Sequence, residues 1–564
     1  MYFEIIQEKI KRILESKYDI NISLRQNRKD DSFDLCLPLF PYKNKFKISF
    51  LQIFEKLKKE IVSLKEIEDI FFINGFLNIK LKKKNINKEI LMNVLKLNSN
   101  YGQKKENNKV IILDYSSPNI AKNFSIGHLR STVIGNALKN IYKKLGFRTI
   151  SINHLGDWGT QFGKMILAYQ KWGKKEELII NPIDQLQKLY IRFHEEAMKN
   201  DFLNQEARKV FNELENQEND VIKLWKWFKD ISLIEFQKIY NLLGINFDYY
   251  IGESFFHNKA IELLKHLKKQ NLLILDKKAY IFPLGNDCVP ALIQKENGST
   301  LYLTRDIACA IYRYEKFNFH KCLYVVGNEQ KLHYQQMKKI LSKMGFNFKL
   351  EHINFGLVLA QNIKISTRTN NDYKLIDIIE KASCQIQDKI IQKNPNLKNL
   401  KEISNKIAIG AIVFNDLKND RHLDIEFNLK QMLQLEGHTG PYLQYTVVRL
   451  ESIFKKNPIS LNKINSLIWD NISIYFQKSS YFVLIKMIDQ FDDILEKSKI
   501  KNMPSILARF LIILAKKVNQ FYSKNKILAE NENLKYSNLI LIKSVVIVLK
   551  EGLNILGIPI LEKM

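Results

Sequence analysis

The feature that most constrains the fold is a strand–loop–helix–strand pattern that begins at residue 110. The run VIILD (110–114) is short and apolar up to its final aspartate, which is typical of a buried strand. A loop rich in Ser, Pro and Asn follows, and then IGHLRSTVIGNALKNIYKKLG shows helical spacing with a glycine at its end. RTISINH (148–154) is the second strand. Parallel sheets are built from such βαβ units, so the sequence predicts an α/β core with a parallel sheet.

The rest of the chain divides by its residue pattern around this core. The β-rich residues around Asn74-Gly75 predict a hairpin or strand pair in a Lys-rich N-terminal part. Beyond about residue 376 the pattern is almost wholly helical. We therefore expect a multidomain α/β plus α protein with these parts: a small α+β domain at 1–105, the core at 106–375 with a charged helical insertion at about 165–250, a helical connecting region at 376–440 and a helical domain at 441–564.

Composition excludes a disordered chain and leaves the meaning of the charge open. Of the 564 residues, 46% are hydrophobic and 26% are charged, which is typical of globular proteins. The 88 Lys and Arg exceed the 59 Asp and Glu by 29. Such a surplus suits a polyanionic partner such as nucleic acid. AT-rich coding, which enriches Lys, Ile and Asn, also produces it.

The cysteines and the apolar runs indicate the cellular compartment of the protein. The five cysteines are scattered, odd in number and never spaced as CxxC, so neither a zinc knuckle nor a disulfide framework is indicated. The N-terminal residues lack the apolar core of a signal peptide. The longest apolar stretches fall short of the roughly 20 residues that span a bilayer. We expect a cytoplasmic protein with no membrane partner.

The segment DYSSPNIAKNFSIGHLRST (114–132) carries the first candidate site, because ligands bind at the carboxyl ends of parallel strands and phosphates bind at helix N-termini. Gly127 would allow a nucleotide to approach the backbone. His128 could donate to phosphate oxygens, and Lys122 could meet charge on a leaving group. Taken alone, the same residues also fit an ordinary loop with a solvated lysine and a capping serine.

This segment resembles the first signature of the class I aminoacyl-tRNA synthetases, in the form found in arginyl-tRNA synthetases. INHLGDWGTQFG (152–163) is similar to a second, separate block of that family. The family pattern is H-x-G-H; Gly127 and His128 match it, and Ser125 stands in place of the first histidine. YLTRDIACAIYR (302–313) and YVVGNEQKLHYQQ (324–336) are similar to the family's amino-acid pocket. Two helical segments, at 435–450 and 504–522, resemble its anticodon-binding domain.

The resemblance implies a Rossmann-like catalytic core, a tRNA-core-binding N-terminal domain and an all-helical anticodon-binding domain. It implies an arginine–tRNA ligase that forms arginyl-adenylate from L-arginine and ATP and then transfers arginine to the 3′-terminal ribose of tRNA(Arg). It further implies Mg²⁺ carried only by the ATP phosphates, activation that requires bound tRNA, and a monomer. Two alternatives are a class I synthetase of another specificity and an RNA-binding paralogue without catalysis.

The arginine pocket is predicted from paired carboxylates, because a guanidinium binds carboxylates in a bidentate, planar fashion. Asp306 and Asp114 are the candidate acceptors. Tyr302 precedes Asp306 by four residues, so the two share a helix face. By resemblance, four residues hold the amino-acid end of the substrate or lie near both ligands: Ser117, Asn119, His128 and Gln330.

The segment QNIKISTRTN (361–370) stands where the family carries its mobile K-M-S-K-S loop. Lys364 and Ser366 match that loop, whereas its second lysine is missing. In such family members a lysine before the first signature replaces it, and Lys122 has that position. The resemblance thus implies Lys122, His128 and Lys364 as catalytic residues, and Ser125, Gly127, His128 and Ser366 as ATP-binding residues. For anticodon bases we consider Tyr442, Tyr445 and Arg449, which could equally be helix-packing residues.

Overall fold

A computed structural model of the chain describes residues 2–26, 33–285, 288–296, 298–360, 363–364, 374–393, 395, 397–458, 461–465, 467 and 469–564. The chain forms two compact units. Unit 1 comprises Met1–Gly102, Tyr445–Lys497 and Arg509–Gly552. Unit 2 comprises Gln103–Gln444, Ser498–Ala508 and Leu553–Met564.

The β-strands are, in chain order, Arg25–Gln26 (β1), Leu35–Pro38 (β2), Ile67–Ile73 (β3), Phe76–Leu81 (β4), Val110–Asp114 (β5), Arg148–Asn153 (β6), Tyr249–Tyr250 (β7), Ile274–Asp276 (β8), Ala279–Phe282 (β9), Ala291–Gln294 (β10), Lys321–Tyr324 (β11), Leu350–His352 (β12), Val358–Ala360 (β13), Ile363–Lys364 (β14) and Ile425–Glu426 (β15).

The α-helices are Tyr2–Tyr18 (α1), Lys43–Phe46 (α2), Phe50–Ile61 (α3), Lys83–Leu97 (α4), Ile126–Lys144 (α5), Thr160–Trp172 (α6), Lys175–Ile180 (α7), Pro182–Lys199 (α8), Phe202–Glu215 (α9), Asn219–Leu243 (α10), His257–Lys269 (α11), Tyr302–Phe317 (α12), Lys331–Lys343 (α13), Leu375–Lys393 (α14), Leu400–Leu417 (α15), Leu429–Met432 (α16), Gly440–Lys456 (α17), Leu461–Asn465 (α18), Trp469–Phe476 (α19), Ser479–Asp489 (α20), Phe491–Ile500 (α21), Ser505–Lys524 (α22) and Glu532–Leu556 (α23). Short 3₁₀ helices span Phe40–Tyr42, Asn98–Asn100, Glu253–Phe256 and Asn328–Gln330.

Unit 2 is built on a parallel sheet with the strand order β12-β11-β5-β6-β7. All four neighbouring pairs are parallel, and Asp114 at the end of β5 pairs with Tyr324 of β11 and Ile152 of β6. The side chains of β5, β6 and β11 pack with those of α11, α12 and α13 in one core cluster. The strand, helix and second strand predicted from residue 110 are thereby confirmed, and the parallel sheet brings the ends of β5, β6 and β11 to one edge.

The helical insertion runs from α6 to α10 and is attached through the block GDWGTQFG. Its first helix, α6, begins at Thr160 directly after Gly159, which has φ 129°. The Asp157 carboxylate is fully buried and accepts from Lys229 Nζ at 2.6 Å and from the Ser254 N–H and Oγ at 2.8 Å each. Trp225 Nε1 donates to the Asp157 carbonyl at 2.8 Å. The block therefore joins β6 to the insertion.

A second buried group links α5 to the helical region after residue 400. Arg130 of α5 and Asp416 of α15 are 1% and 3% exposed, and Arg130 Nε lies 3.2 Å from Asp416 Oδ2. Arg130 Nη1 also donates to the carbonyls of Gly356 and Leu423 at 2.8 Å each. The arginine thus ties α5 to α15 and to the backbone next to β13 and β15.

Unit 1 contains an antiparallel sheet of order β1-β2-β4-β3. The hairpin between β3 and β4 turns at Asn74 and Gly75, which have φ angles of 51° and 78°. Positive φ at both central residues is the geometry of a tight hairpin turn that favours Asn-Gly, so the predicted hairpin is confirmed. Helices from the C-terminal part of the chain complete this unit. Among the described residues, no helix has the length and apolarity needed to span a membrane.

Candidate active site

The loop between β5 and α5 is held in an unusual backbone conformation. Ser116, Ser117 and Ala121 have positive φ angles of 73°, 47° and 61°. Such angles cost non-glycine residues of the order of 1–3 kcal/mol each and persist only where neighbours enforce them. Ser131 Oγ of α5 accepts from the Ser116 N–H at 2.9 Å, and Ser232 Oγ of α10 accepts from the Ala121 N–H at 3.0 Å. The loop is thus shaped by the helix that follows it and by the insertion.

The first turn of α5 orients His128. Ser125 precedes the helix, is 2% exposed, and donates its backbone N–H to His128 Nδ1 at 3.1 Å; its Oγ lies 3.2 Å from the same atom. Because Nδ1 accepts, the neutral ring carries its proton on Nε2. His128 therefore offers an Nε2–H donor at the helix N-terminus. Ser125 acts on this site through its contacts with His128.

The pKa of His128 is lowered to about 4, first because burial disfavours the imidazolium and second because Lys122 carries a positive charge nearby. The unfolded chain then binds more protons between about pH 4 and the ordinary histidine pKa of about 6.5, so this group stabilises the fold above pH 6.5 and that contribution is lost as the pH falls to 4. We expect an NMR titration, assigned with His128→Gln, to show a neutral ring at pH 6. Lys122→Met should raise this pKa, because it removes the second cause; an unchanged value would contradict that explanation.

Asp114 is engaged on both oxygens by protein groups. Its Oδ2 lies 2.7 Å from Nη1 of Arg313, whose side chain is fully buried, and its Oδ1 accepts from Ser117 Oγ at 2.9 Å. Arg313 was missed in the sequence, although it lies two helical turns after Asp306 on the same helix face. Each carboxylate oxygen has two lone pairs, so these contacts leave acceptor capacity on Asp114.

Asp306 lies in the first turns of α12 and is 7% exposed. His333 Nε2 donates to its Oδ2 at 2.7 Å, and His154 Nε2 lies 3.8 Å from its Oδ1. The ring of Tyr302 lies 5.0 Å from that of His333, so Tyr302 and Asp306 share this face as predicted. The two histidines were not singled out in the sequence, and only their position in the quoted motifs could have indicated them.

His154 has a special place in this cluster. It is 7% exposed, and neither ring nitrogen has a hydrogen-bond partner among the described residues. Burial lowers the pKa of His154, whereas the negative charges of Asp114 and Asp306 oppose this shift. A buried polar ring without a partner is what a bound polar ligand would satisfy.

The remaining predicted residues of the pocket come from three loops. The backbone of Asn119 pairs with that of Gly156 in the GDWG block. A Cβ on residue 156 would lie 2.0 Å from Asn119 Oδ1, so this close approach requires glycine there. Gln330 ends the 3₁₀ helix that follows β11 and is half-buried. Lys122 Nζ lies 6.0 Å from the ring centroid of Tyr190 of α8. The backbone of Lys364 pairs with Leu359 in β13; Ser366 lies outside the described residues.

The candidate RNA-binding residues lie on α17. Tyr442 belongs to unit 2 and is half-buried. Tyr445 and Arg449 belong to unit 1 and are exposed. The Arg449 guanidinium lies 4.3 Å from the ring centroid of Tyr522 of α22, a residue that was not considered in the sequence. Their role in binding RNA stays a prediction.

The described parts of the chain contain no group of three or more His, Cys, Asp or Glu side chains that could hold a metal ion. The site consists of a helix N-terminus with its histidine donor, the nearby Lys122, and two buried carboxylates, Asp114 at the end of β5 and Asp306 in α12. Chemically, this arrangement suits a phosphorylated ligand next to a cationic one.

Comparison with known proteins identifies the family. Residues 90–429 match the family model described as "tRNA synthetases class I (R), catalytic domain", and residues 443–564 match the "DALR anticodon binding domain". The arginine–tRNA ligase of Exiguobacterium sibiricum is 39% identical over 566 aligned residues, covering 100% of this chain and 99% of the relative. That of Clostridioides difficile is 40% identical, covering 99% and 98%.

Solved structures agree with this assignment. Arginyl-tRNA synthetase from Plasmodium falciparum superposes with a TM-score of 0.80 at 26% identity, and each chain covers 99% of the other. The Thermus thermophilus arginyl-tRNA synthetase has the same fold, with a TM-score of 0.78 at 19% identity and full coverage of both chains. The predicted α/β core and helical C-terminal domain are confirmed. The chain belongs to the arginyl-tRNA synthetases, enzymes of the class I aminoacyl-tRNA synthetase family.

Proposed function

We propose that this site activates L-arginine with ATP and transfers it to the 3′-terminal ribose of tRNA(Arg). The observation that carries the proposal is the buried Asp306 carboxylate, which shares His154 as a neighbour with Asp114 at the carboxyl edge of the parallel sheet. A buried carboxylate demands a cationic partner, and a guanidinium satisfies it with paired, charge-assisted hydrogen bonds.

Arginine would be held by its two ends. Asp306 and the Tyr302 hydroxyl would bind the guanidinium, and Asp114 would add acceptor capacity beside its contacts with Arg313 and Ser117. Four residues are proposed to fix the amino-acid end and bring it to the nucleotide: Ser117, Asn119, His128 and Gln330. His154, whose ring nitrogens have no hydrogen-bond partner in the part of the chain that the structure describes, is an additional candidate contact for the substrate.

In the first step, the arginine carboxylate would attack the α-phosphorus of ATP, displacing pyrophosphate and forming arginyl-adenylate. His128 would donate its Nε2–H to phosphate oxygens at the start of α5, where the backbone N–H groups also favour anions. Lys122, Lys364 and the Ser366 hydroxyl would stabilise the departing pyrophosphate. Mg²⁺ carried by the ATP phosphates would supply further charge neutralisation.

Gly127 suits a close approach of ATP. It is exposed, and among the described residues a Cβ added there would meet only Ser125 Oγ, at 3.4 Å. Packing of the described part of the chain therefore leaves room for a methyl group at this position. The role of Gly127 in the proposal is to leave space for the nucleotide.

In the second step, the 2′-hydroxyl of the terminal ribose would attack the carbonyl carbon of the adenylate. The arginyl ester forms as the bond from that carbon to the phosphate oxygen breaks, which releases AMP and the hydroxyl proton. The basic domain at 1–105 would contact the tRNA core, 376–440 its stem region, and 441–564 its anticodon. Tyr442, Tyr445 and Arg449 are the proposed contacts with unpaired bases. We further propose that bound tRNA is required for activation, and that the enzyme is a cytoplasmic monomer.

Arginine-dependent exchange of pyrophosphate into ATP, with and without tRNA(Arg), tests this proposal. We expect exchange only when arginine and tRNA are both present. Exchange without tRNA would refute only the tRNA requirement. Absent exchange with intact tRNA binding would favour the RNA-binding paralogue.

Gly127→Ala should retain the unfolding temperature of the wild type, because alanine favours a helix and has space at this position. The ATP KM in the exchange assay should rise about tenfold, because the methyl group occupies space left for the nucleotide.

A further inference from the structure

The helical insertion makes a charged contact with the loop that carries Lys122. Asp184, in the first turn of α8, accepts from Lys374 Nζ at 2.6 Å and 2.7 Å on its two oxygens. It also accepts from Asn123 Nδ2 at 3.0 Å. Burial alone would raise the pKa of Asp184, but the hydrogen bonds from Lys374 and Asn123 hold it below its usual range. Asp184 therefore joins two segments that are far apart in the chain.

Both segments border groups assigned to ATP chemistry. Asn123 directly follows Lys122, and its Nδ2 also donates to Gln187 Oε1 of α8 at 2.8 Å. Lys374 directly precedes α14 and follows QNIKISTRTN (361–370), the segment that stands in the place of the K-M-S-K-S loop. Its backbone bridges to Ser125, and the Leu375 N–H donates to the Phe124 carbonyl at 3.0 Å. The start of α14 is thereby attached to the first signature by backbone and side-chain bonds.

One face of α8 makes these contacts. Asp184, Gln187 and Tyr190 follow one another at intervals of three residues, so they lie along the same side of the helix. Tyr190 adds the contact of its ring face with Lys122 Nζ, 6.0 Å from the ring centroid. This face therefore touches Lys122 and Asn123, two consecutive residues of the loop.

We propose that Asp184 is a positioning residue for Lys122: with Lys374 and Asn123 it sets the place of the loop relative to α8 and the start of α14. The inference rests on the role proposed above for Lys122. Asp184 need not contact substrate. Its carboxylate holds the Lys374 and Asn123 side chains together, in addition to the backbone bonds that attach Lys374 and Leu375 to the loop. A displacement of about 1 Å at a reacting group lowers rates by up to about 100-fold.

Asp184→Asn, Lys374→Met and the double variant test the proposal in the tRNA-dependent exchange assay. Asparagine keeps the shape and one acceptor for Asn123 but loses the charge that binds Lys374. We expect kcat to fall about 10- to 30-fold, with the arginine KM within twofold of wild type, because Lys122 acts in the transition state. The double variant should be no slower than the slower single variant. Lys374→Arg should retain most of the rate.

A matched control is the ion pair between α6 and α9, in which Lys171 Nζ lies 3.1 Å from Glu206 Oε2. It belongs to the same insertion but joins two of that insertion's own helices. Glu206→Gln should leave kcat unchanged. Unfolding temperatures measured for all variants show whether a loss of rate is a loss of fold.

The outcomes separate this inference from the proposed function. Wild-type protein without exchange would overturn both. An active wild type with an unimpaired Asp184→Asn variant would overturn the positioning role alone. So would independent, multiplicative losses in the double variant, or a rise in the arginine KM that accounts for the whole effect.

Discussion

Asp306→Asn is expected to lower kcat/KM for arginine in the exchange reaction by about 10³-fold, equivalent to about 4 kcal/mol. The carboxylate is 7% exposed, so water contributes little to balancing its charge. Asparagine keeps the size of the side chain but offers one acceptor oxygen and an NH₂ group, which opposes the donors of a guanidinium. The substrate cation would then be desolvated with only Asp114, which is already paired with Arg313, to balance its charge.

Two comparisons make this result specific to Asp306. Glu315 is exposed on the same helix, and Glu315→Gln should leave kcat/KM unchanged. Citrulline, which is neutral and similar in shape to arginine, should be a very poor substrate for the wild type, while Asp306→Asn should largely lose the discrimination between the two. If the wild type charged citrulline at a rate near that for arginine, Asp306 would not be the guanidinium acceptor.

Arg130→Met is expected to lower the free energy of unfolding of unit 2 by about 3–5 kcal/mol, because it leaves the Asp416 carboxylate buried without its ion pair. Burial already raises the pKa of Asp416, and Arg130 is the group that opposes this effect. The variant also leaves the carbonyls of Gly356 and Leu423 without the 2.8 Å hydrogen bonds from Nη1.

Denaturant titration followed by tryptophan fluorescence measures this loss, since Trp158, Trp172, Trp225 and Trp227 all lie in unit 2. Asp416→Leu combined with Arg130→Met should recover part of the stability, because the uncompensated charge is removed. Glu402→Gln, in the half-exposed pair that Glu402 forms with Lys406 on α15 at 2.7 Å, should change it by less than about 1 kcal/mol. Equal losses of unfolding free energy from Arg130→Met and Glu402→Gln would show that the buried ion pair stabilises the fold no more than the exposed one.

The sequence was sufficient for features that depend on neighbours in the chain. The strand ending at Asp114, the helix that presents His128 and the common face of Tyr302 and Asp306 follow from periodicity and short spacing. The family resemblance added the first signature, the segment in the place of the K-M-S-K-S loop and the domain order. It also contained GDWGTQFG, although not the structural role of Asp157, because that role depends on Lys229 and Ser254 from other elements.

What the sequence determined by itself is therefore the set of local elements, the family and the candidate residues within its motifs. The tertiary structure decided which polar groups meet. His333 reaches Asp306 across 27 positions of the chain, and Lys374 reaches Asp184 across 190. Arg313 reaches Asp114 because α12 packs against the core strands of the sheet that contains β5. Local propensity specifies which face of an element is apolar, but the partner of a buried charge depends on how the elements are stacked and ordered.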